Sequence, residues 1–272
     1  MRKTSYRKEL TIAAPQRRHG TGNTRRDVEK IQAWLALYEM RHPGSGTFTT
    51  VDGAFGPATE LAVKNFQRHE NLPVTGVVDQ AVFERLRRPL ESAFQTDGPV
   101  TSLRESVTQL ARQHLESQPL ELVIHNRANA GPWVRSYMDG HEGEAWFWCM
   151  GFVQTILDQA ASAQGKDFRV IMPHTYGCDA VGTVGLRQGL LMRYTEVRKN
   201  PSQVKPGDLF LLQKSANDWT HTGLILSVGD GTFDTIEGNT NMGGSRNGNG
   251  VYRRVRNFEQ AKLDVFSIEP LV

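Results

Sequence analysis

Only two cysteines, Cys149 and Cys178, occur in the 272 residues. That is too few for a disulfide framework, and no Cys-x-x-Cys or Cys/His pair has the spacing of a zinc site. Long hydrophobic runs are also missing. The longest apolar stretch, 145–153, falls far short of the roughly 20 residues that a bilayer helix needs. Twelve prolines and 26 glycines are too few for a collagen-like or low-complexity chain. What remains is 38% hydrophobic and 22% charged residues, the balance of a soluble globular protein. At a prior of ~150 residues per domain, two domains are expected.

No strong charge excess runs through the chain, whose net charge is +3. The first thirty residues hold nine basic against three acidic side chains, so the balance is carried by the N-terminal tail. A secretory leader would follow such a start with an apolar core, but Leu10 to Ala14 is interrupted by Thr11 and stopped by Pro15, so no signal peptide is read. Residues 1–24 are expected to be a basic, solvated and flexible tail. No motif points to nucleic acid, and neither nucleic-acid binding nor membrane insertion is expected.

Residues 25–90 read as a small all-α unit. Val28, Ile31 and Leu35 follow a helical period, which the loop 42–46 breaks. Pro57 at a first helical position precedes a stripe of Thr59, Ala62, Val63 and Phe66. A third helix is capped by Asp79 and buries Val82, Phe83 and Leu86. Gly53 is echoed by Gly76 and Ala58 by Ala81, twenty-three residues on, as in a duplicated turn-helix unit. Residues 91–120 read as a helical connector, with Ser102 and Glu105 as a capping box and Pro119 at its end. His114 on that helix is expected to be half-exposed.

The motifs Ile31-Gln32-x-x-Leu35, Val51-Asp52-Gly53-x-Phe55-Gly56-Pro57-x-Thr59-x-x-Ala62-Val63-x-x-Phe66-Gln67 and Val74-Thr75-Gly76-Val77-Val78-Asp79 together resemble the peptidoglycan-binding three-helix module of cell-wall hydrolases. The resemblance covers about residues 25–90 and implies peptidoglycan as a partner.

From residue 121 onward a helical stretch beginning at Cys149 precedes β-like runs at 208–212, 223–228, 231–236, 251–255 and 264–268, an α+β arrangement with an antiparallel meander. Cys149 at a helix start is exposed to unpaired N–H groups that favour the thiolate, the reactive form. On position alone a buried core cysteine, flanked by Trp and Phe, is the simpler reading. Downstream, His221 in Thr220-His221-Thr222-Gly223 and the run Glu237-Gly238-Asn239 supply a base and a polar partner, Glu237 or Asn239, for its ring. Cys178 lacks an evident helix start and reads as structural or idle. Asp208 reads as a turn or strand-end residue.

Trp148-Cys149-x-x-Phe152-Val153, Lys205-Pro206-Gly207-Asp208, His221-Thr222-Gly223 and Glu237-Gly238-Asn239 resemble the CHAP family of cysteine amidases and endopeptidases over about residues 121–272. The resemblance implies a papain-like (NlpC/P60-like) fold, with Cys149 as nucleophile, His221 as general base and later acid, Glu237 as the orienter of its ring, and Asn239 as a polar partner in the same site. Asn129-x-Gly131-x-x-Val134-x-x-Tyr137 fits the same family. The loop 139–144 only loosely resembles the calcium loop of some members, so no metal and no cofactor is expected.

The implied activity is hydrolysis of a stem-peptide amide in peptidoglycan, as amidase or endopeptidase, by a monomer. Lacking a signal peptide, such an enzyme is expected to reach the wall by lysis or a dedicated delivery system, as a phage lysin or as an antibacterial effector with a cognate immunity protein. The alternatives are a non-catalytic wall-binding protein and a cysteine amidase acting on protein amides.

Overall fold

The computed structural model describes residues 1–96, 102–243, 245 and 247–272. In chain order the elements are α1 (Arg25–Arg41), α2 (Pro57–His69), α3 (Gln80–Phe94), α4 (Leu103–Glu116), β1 (Leu122–Ile124), β2 (Arg127–Ala130), α5 (Pro132–Tyr137), α6 (Cys149–Ala163), α7 (Cys178–Gln188), β3 (Leu191–Met192), α8 (Tyr194–Lys199), β4 (Leu209–Ser215), β5 (Asp218–Val228), β6 (Thr232–Thr240), β7 (Gly250–Asn257) and β8 (Leu263–Phe266). They form two compact units. The first is 4–92 with 120–144, and the second is 1–3, 93–119 and 145–272.

In the first unit, Thr24 caps α1 by accepting the Asp27 N–H, Pro57 opens α2, and the Asp79 carboxylate accepts the Val82 N–H at the start of α3. Ile31, Leu35, Val63, Phe66, Phe83 and Leu86 are buried between these helices. The repeated turns have a common cause. Gln32 of α1, fully buried, accepts the Asp52 and Gly53 N–H groups at 3.0 and 2.8 Å and donates to the Asp52 carboxylate, the Ala54 carbonyl and the Thr59 hydroxyl. Gln67 of α2 does the same one repeat later, accepting the Thr75 and Gly76 N–H groups at 2.9 Å each and donating to the Thr75 hydroxyl and Val77 carbonyl. Gly53 and Gly76 sit at φ +77° and +73°, a conformation that favours glycine. The Gly echo in the sequence is therefore the signature of two glutamine-organised turns.

The basic tail expected to be a free arm is folded. Glu9 is buried and receives two hydrogen bonds from Arg135 of α5, at 2.9 and 2.8 Å. Gln16 pairs with Val78 through reciprocal backbone bonds of 2.9 Å, and the Asp27 carboxylate accepts the Ala13 N–H. Most of its positive charge sits on side chains that remain at the surface, such as Arg17 and Arg18, while its backbone is held by α1 and by the turn before α3. Residues 120–144, read from sequence with the C-terminal segment, also belong to this unit, where α5 meets the short turn Ser5–Glu9 and α1. Trp34 and Trp133 meet edge to face there at 6.2 Å.

The second unit is built on a six-stranded antiparallel sheet of order β3-β8-β4-β5-β6-β7. Helix α6, buried along most of its length, packs on β5, β6 and α4. Phe210, Ile225, Phe233, Phe258, Leu263 and Val265 form a core cluster with Val197 of α8 and Val204. The capping box on α4 is present, with the Ser102 side chain accepting the Glu105 N–H. Residues 97–101 of the expected connector lie outside the described residues, and the helix that follows is part of this unit rather than a spacer. His114 departs from its expected half-exposure: it is fully buried, bonded to Gln159 at 3.1 Å and set against Phe94 and Phe152. Burial lowers its pKa to about 4, so it is a neutral core group.

Candidate active site

Helix α6 begins at Cys149, so the sulfur projects from the first turn of a 15-residue helix. The backbone just before it is fixed by Asn239, whose side-chain oxygen accepts the Trp148 N–H at 3.0 Å. Asn239, at φ +55°, also donates to the Gly248 carbonyl at 2.9 Å, while the Gly248 N–H returns to the Asn239 carbonyl at 3.0 Å. It thus ties the start of α6 to the end of β6 and to the loop that follows.

His221 lies within β5, paired with Leu212 across β4, and is fully buried. Its Nε2 is 2.8 Å from the Glu237 carboxylate of β6. Its Nδ1 has no hydrogen-bond partner among the described residues, which leaves that nitrogen for the thiol of Cys149. Close packing sets the pair: a Cβ on Gly223 would lie 2.5 Å from Cγ of Glu237, and one on Gly238 would lie 2.6 Å from Cβ of Phe152. Neither position has room for a side chain.

Glu237 is buried and fully engaged. One oxygen accepts the Thr235 hydroxyl at 2.6 Å and the Arg256 Nε at 2.7 Å, while the other faces His221 and the second arm of the Arg256 guanidinium. The Arg256 guanidinium also lies over Phe210, 5.5 Å from the ring centroid, and the Phe210 ring neighbours His221. Burial opposes the charge on Glu237, but Arg256 and then His221 outweigh it and hold the carboxyl down at about 2. Burial likewise works against an imidazolium, yet Cys149 and Glu237 raise His221 to about 9. The Cys149 thiol is held well below its ordinary value, first by a hydrogen bond from Cys178 and then, against burial, by His221 and the Met150 N–H. The arrangement favours a thiolate beside an imidazolium at neutral pH, an activated nucleophile.

A cleft of about 430 Å³ opens onto Cys149, lined by Phe147, Tyr176, Trp219 and Asn247 among others. Trp146 stands edge-on to Tyr176 at 5.6 Å. All four residues singled out in the sequence, Cys149, His221, Glu237 and Asn239, fall in the second unit around this point. Their roles divide, with Glu237 on the imidazole ring and Asn239 on the backbone ahead of the thiol.

The sequence reading assigns no part in the constellation to two of its members. Arg256 is one; β7 offers several basic residues, and only the register of β7 against β6 shows which reaches Glu237. Cys178 is the other. Far from lacking a helical start, it is the first residue of α7, and it lines the same cleft as Cys149. Asp208, by contrast, is structural: it is buried, paired with Arg104 at 2.9 Å, and accepts the Lys205 and Ile268 N–H groups.

In the loop 139–144, the Glu142 carboxylate is occupied by the Gly131 N–H and by Arg135, each at 2.8 Å. Among the described residues, no group of three or more His, Cys, Asp or Glu is placed to hold a metal ion. Nor is any described helix long and apolar enough to cross a membrane.

Comparison with known proteins bears on the first unit. The family model described as a peptidoglycan binding domain matches residues 24–86, which take in α1, α2, both glutamine-organised turns and the first half of α3. A zinc D-Ala-D-Ala carboxypeptidase of Streptomyces albus G is 35% identical over 65 residues. That match takes in 24% of this chain and 24% of the carboxypeptidase, so the chain spans about a quarter of that relative's length. No solved structure matches.

Proposed function

We propose that the protein is a peptidoglycan hydrolase in which residues 25–90 bind the wall and a papain-like cysteine hydrolase within residues 121–272 cleaves an amide of the stem peptide. Peptidoglycan is the partner that the family match to residues 24–86 supports, and the partial likeness to a carboxypeptidase named for a D-Ala-D-Ala substrate agrees with a wall-directed hydrolase. The observation that carries the catalytic half is the buried His221 ring, with Nε2 committed to Glu237 and Nδ1 left for the thiol of Cys149.

In this reading the Cys149 thiolate attacks the amide carbonyl carbon, and the N–H groups of the first turn of α6 receive the developing oxyanion. The carbon–nitrogen bond breaks as the His221 imidazolium gives its proton to the departing amine, leaving a thioester on Cys149. Neutral His221 then takes a proton from water, the hydroxide attacks the thioester, and the acid is released with the thiolate and imidazolium restored. Glu237 stays ionised throughout, fixing the ring and supporting its positive charge. Arg256 keeps Glu237 ionised, and Asn239 sets the backbone from which the thiol projects.

The test is mass spectrometry of purified peptidoglycan after digestion by the wild type and by Cys149→Ala. New fragments from the wild type alone are expected, with at least about 10⁴-fold less product from the variant, and their masses identify the bond. An intact wall in both samples, with the protein still bound to it, would instead favour a non-catalytic wall-binding protein. Cleavage of protein amides with none of peptidoglycan would move the substrate elsewhere.

A further inference from the structure

The cleft that opens onto Cys149 is uncharged along most of its wall. Phe147, Tyr176 and Trp219 line it, with Phe147 48% exposed and so open to a ligand. Among the described residues that line it there is no Lys, Arg or His, and Asp179 is the one carboxylate. The Cys149 thiolate and the His221 imidazolium behind it cancel each other. The charge that an incoming molecule meets is therefore that of Asp179.

Asp179 is the second residue of α7 and is exposed, and its carboxylate does not cap its own helix. One oxygen accepts the Trp219 N–H of β5 at 2.6 Å, and the other has no hydrogen-bond partner among the described residues. Trp219 is itself pinned. Its indole N–H donates to Asp264 at 2.9 Å, and its ring fills the space beside Gly182 of α7, where a Cβ would lie 2.5 Å away. The first turn of α7 and the strand that carries His221 thus hold the carboxylate at a fixed place on the cleft wall. A fixed oxygen with an open lone pair is a ready acceptor for a charged N–H donor. Aromatic faces beside it suit the same group. Tyr176 already shows that contact with the Lys3 ammonium, which lies 5.5 Å from its ring centroid. An anionic group would meet the carboxylate with no counter-charge on the wall.

We infer that Asp179 is a specificity-determining residue, which selects a substrate carrying a primary ammonium group beside the scissile amide. The inference rests on the hydrolase reading and deepens it. The stem peptide it selects has a free amine near the cut bond, rather than acylated amines or a carboxylate there.

An acidic residue in the first turn of a helix also complements the helix dipole, and a purely structural Asp179 predicts no selectivity. Two experiments on the full chain separate the roles. In the first, Cys149 is alkylated at pH 7 and low salt by 2-bromoethylammonium, a cation, by neutral iodoacetamide or by anionic iodoacetate, with the site read by mass spectrometry. Ratios between reagents cancel the thiolate fraction, which all three share. Asp179→Asn keeps an oxygen for the Trp219 N–H and removes the charge. Its cation-to-neutral ratio is expected to be about threefold below that of the wild type, and its anion-to-neutral ratio about threefold above. If the variant does not fold, the wild type alone decides, because added salt should erase the same preference. Ratios that respond to neither the substitution nor salt would overturn the inference and leave Asp179 as a tie between α7 and β5.

In the second, soluble wall fragments are offered with their amines free or acetylated. The wild type is expected to cleave the acetylated fragments roughly tenfold more slowly, and Asp179→Asn to treat both alike. Equal rates in the wild type would overturn the inference while the hydrolase reading stood. Alkylation needs no substrate, so ratios that respond to Asp179 in a protein that cleaves neither fragment would sink the hydrolase reading and leave the cleft's preference for a cation in place.

Discussion

The two units bury polar side chains in opposite ways. In the first, Gln32 and Gln67 are neutral amides whose oxygens and nitrogens are all engaged by turn backbone, hydroxyls and the Asp52 carboxylate. In the second, Glu237, His221 and Arg256 are ionic, and one ring nitrogen of His221 has no hydrogen-bond partner among the described residues. A satisfied neutral network fixes a shape, since nothing remains for a ligand to complete. A charged network that leaves one nitrogen open stores a capacity to move a proton, and this is where chemistry is expected.

Breaking the ionic side should have the largest effect. Glu237→Gln keeps the size of the side chain but leaves the Arg256 guanidinium opposite a neutral amide and removes the support for an imidazolium. Turnover of soluble wall fragments is expected to fall roughly 100-fold, and denaturant unfolding to show a loss of about 3 kcal/mol. Unchanged turnover would place the ring's support elsewhere. Breaking the neutral side should cost stability alone. Gln67→Leu strands the Thr75 and Gly76 N–H groups, and a loss of about 2 to 3 kcal/mol is expected, with turnover of soluble fragments intact and retention on whole wall reduced. A parallel loss of turnover would show that the two networks are not independent.

The smallest effect sharpens the comparison by pH. His221 is raised to about 9 from an unfolded value near 6.5. Its contribution to stability is fully present below pH 6.5 and is lost as pH rises through about 9. Hydrolysis, which needs the imidazolium to protonate the leaving amine, should decline in the same window by about tenfold per pH unit. Glu237, held down at about 2, behaves oppositely, its contribution being present above its unfolded value and lost as pH falls through about 2. The Gln32 turn holds one titrating group, Asp52, kept below its ordinary value first by the Ala54 N–H, so a binding step constant across neutral and alkaline pH beside a pH-limited cleavage step is the expected pattern.

Much of the first unit is legible in sequence because its turns are local: Gly53 and Gly76 recur at one spacing, and Pro57 and Asp79 mark helix starts within a few residues of the glycines. Cys149 is legible as a helix start for the same reason, and His221 and Glu237 because neighbouring antiparallel strands bring close residues together. Arg256 is hidden by repetition. Arg253, Arg254 and Arg256 alternate along β7, and the two that bond Asp234 and Glu237 differ only in the face they occupy. Cys178 is hidden by distance, because no periodicity reports that two helix starts converge. His114 misleads for a related cause: its helix is amphipathic, but a second helix covers the flank on which it lies. Residues 1–24 look like an arm because most of their charges are exposed, while the contacts that fold them are made by backbone and by the buried Glu9.

Gly223 and Gly238 adjoin two of the chemical residues in the sequence, one beyond Thr222 after His221 and the other directly after Glu237. Their occupancy is dictated by clearance, since a methyl group at either would collide with Glu237, Phe210 or Phe152. A descendant of this chain that lost its thiol or its imidazole would therefore keep both glycines for as long as it kept its fold. The glycines report ancestry and architecture. On the proposed mechanism only the side chains beside them would report turnover, so a search for active relatives should weigh Cys149, His221 and Glu237 and give the glycines no vote.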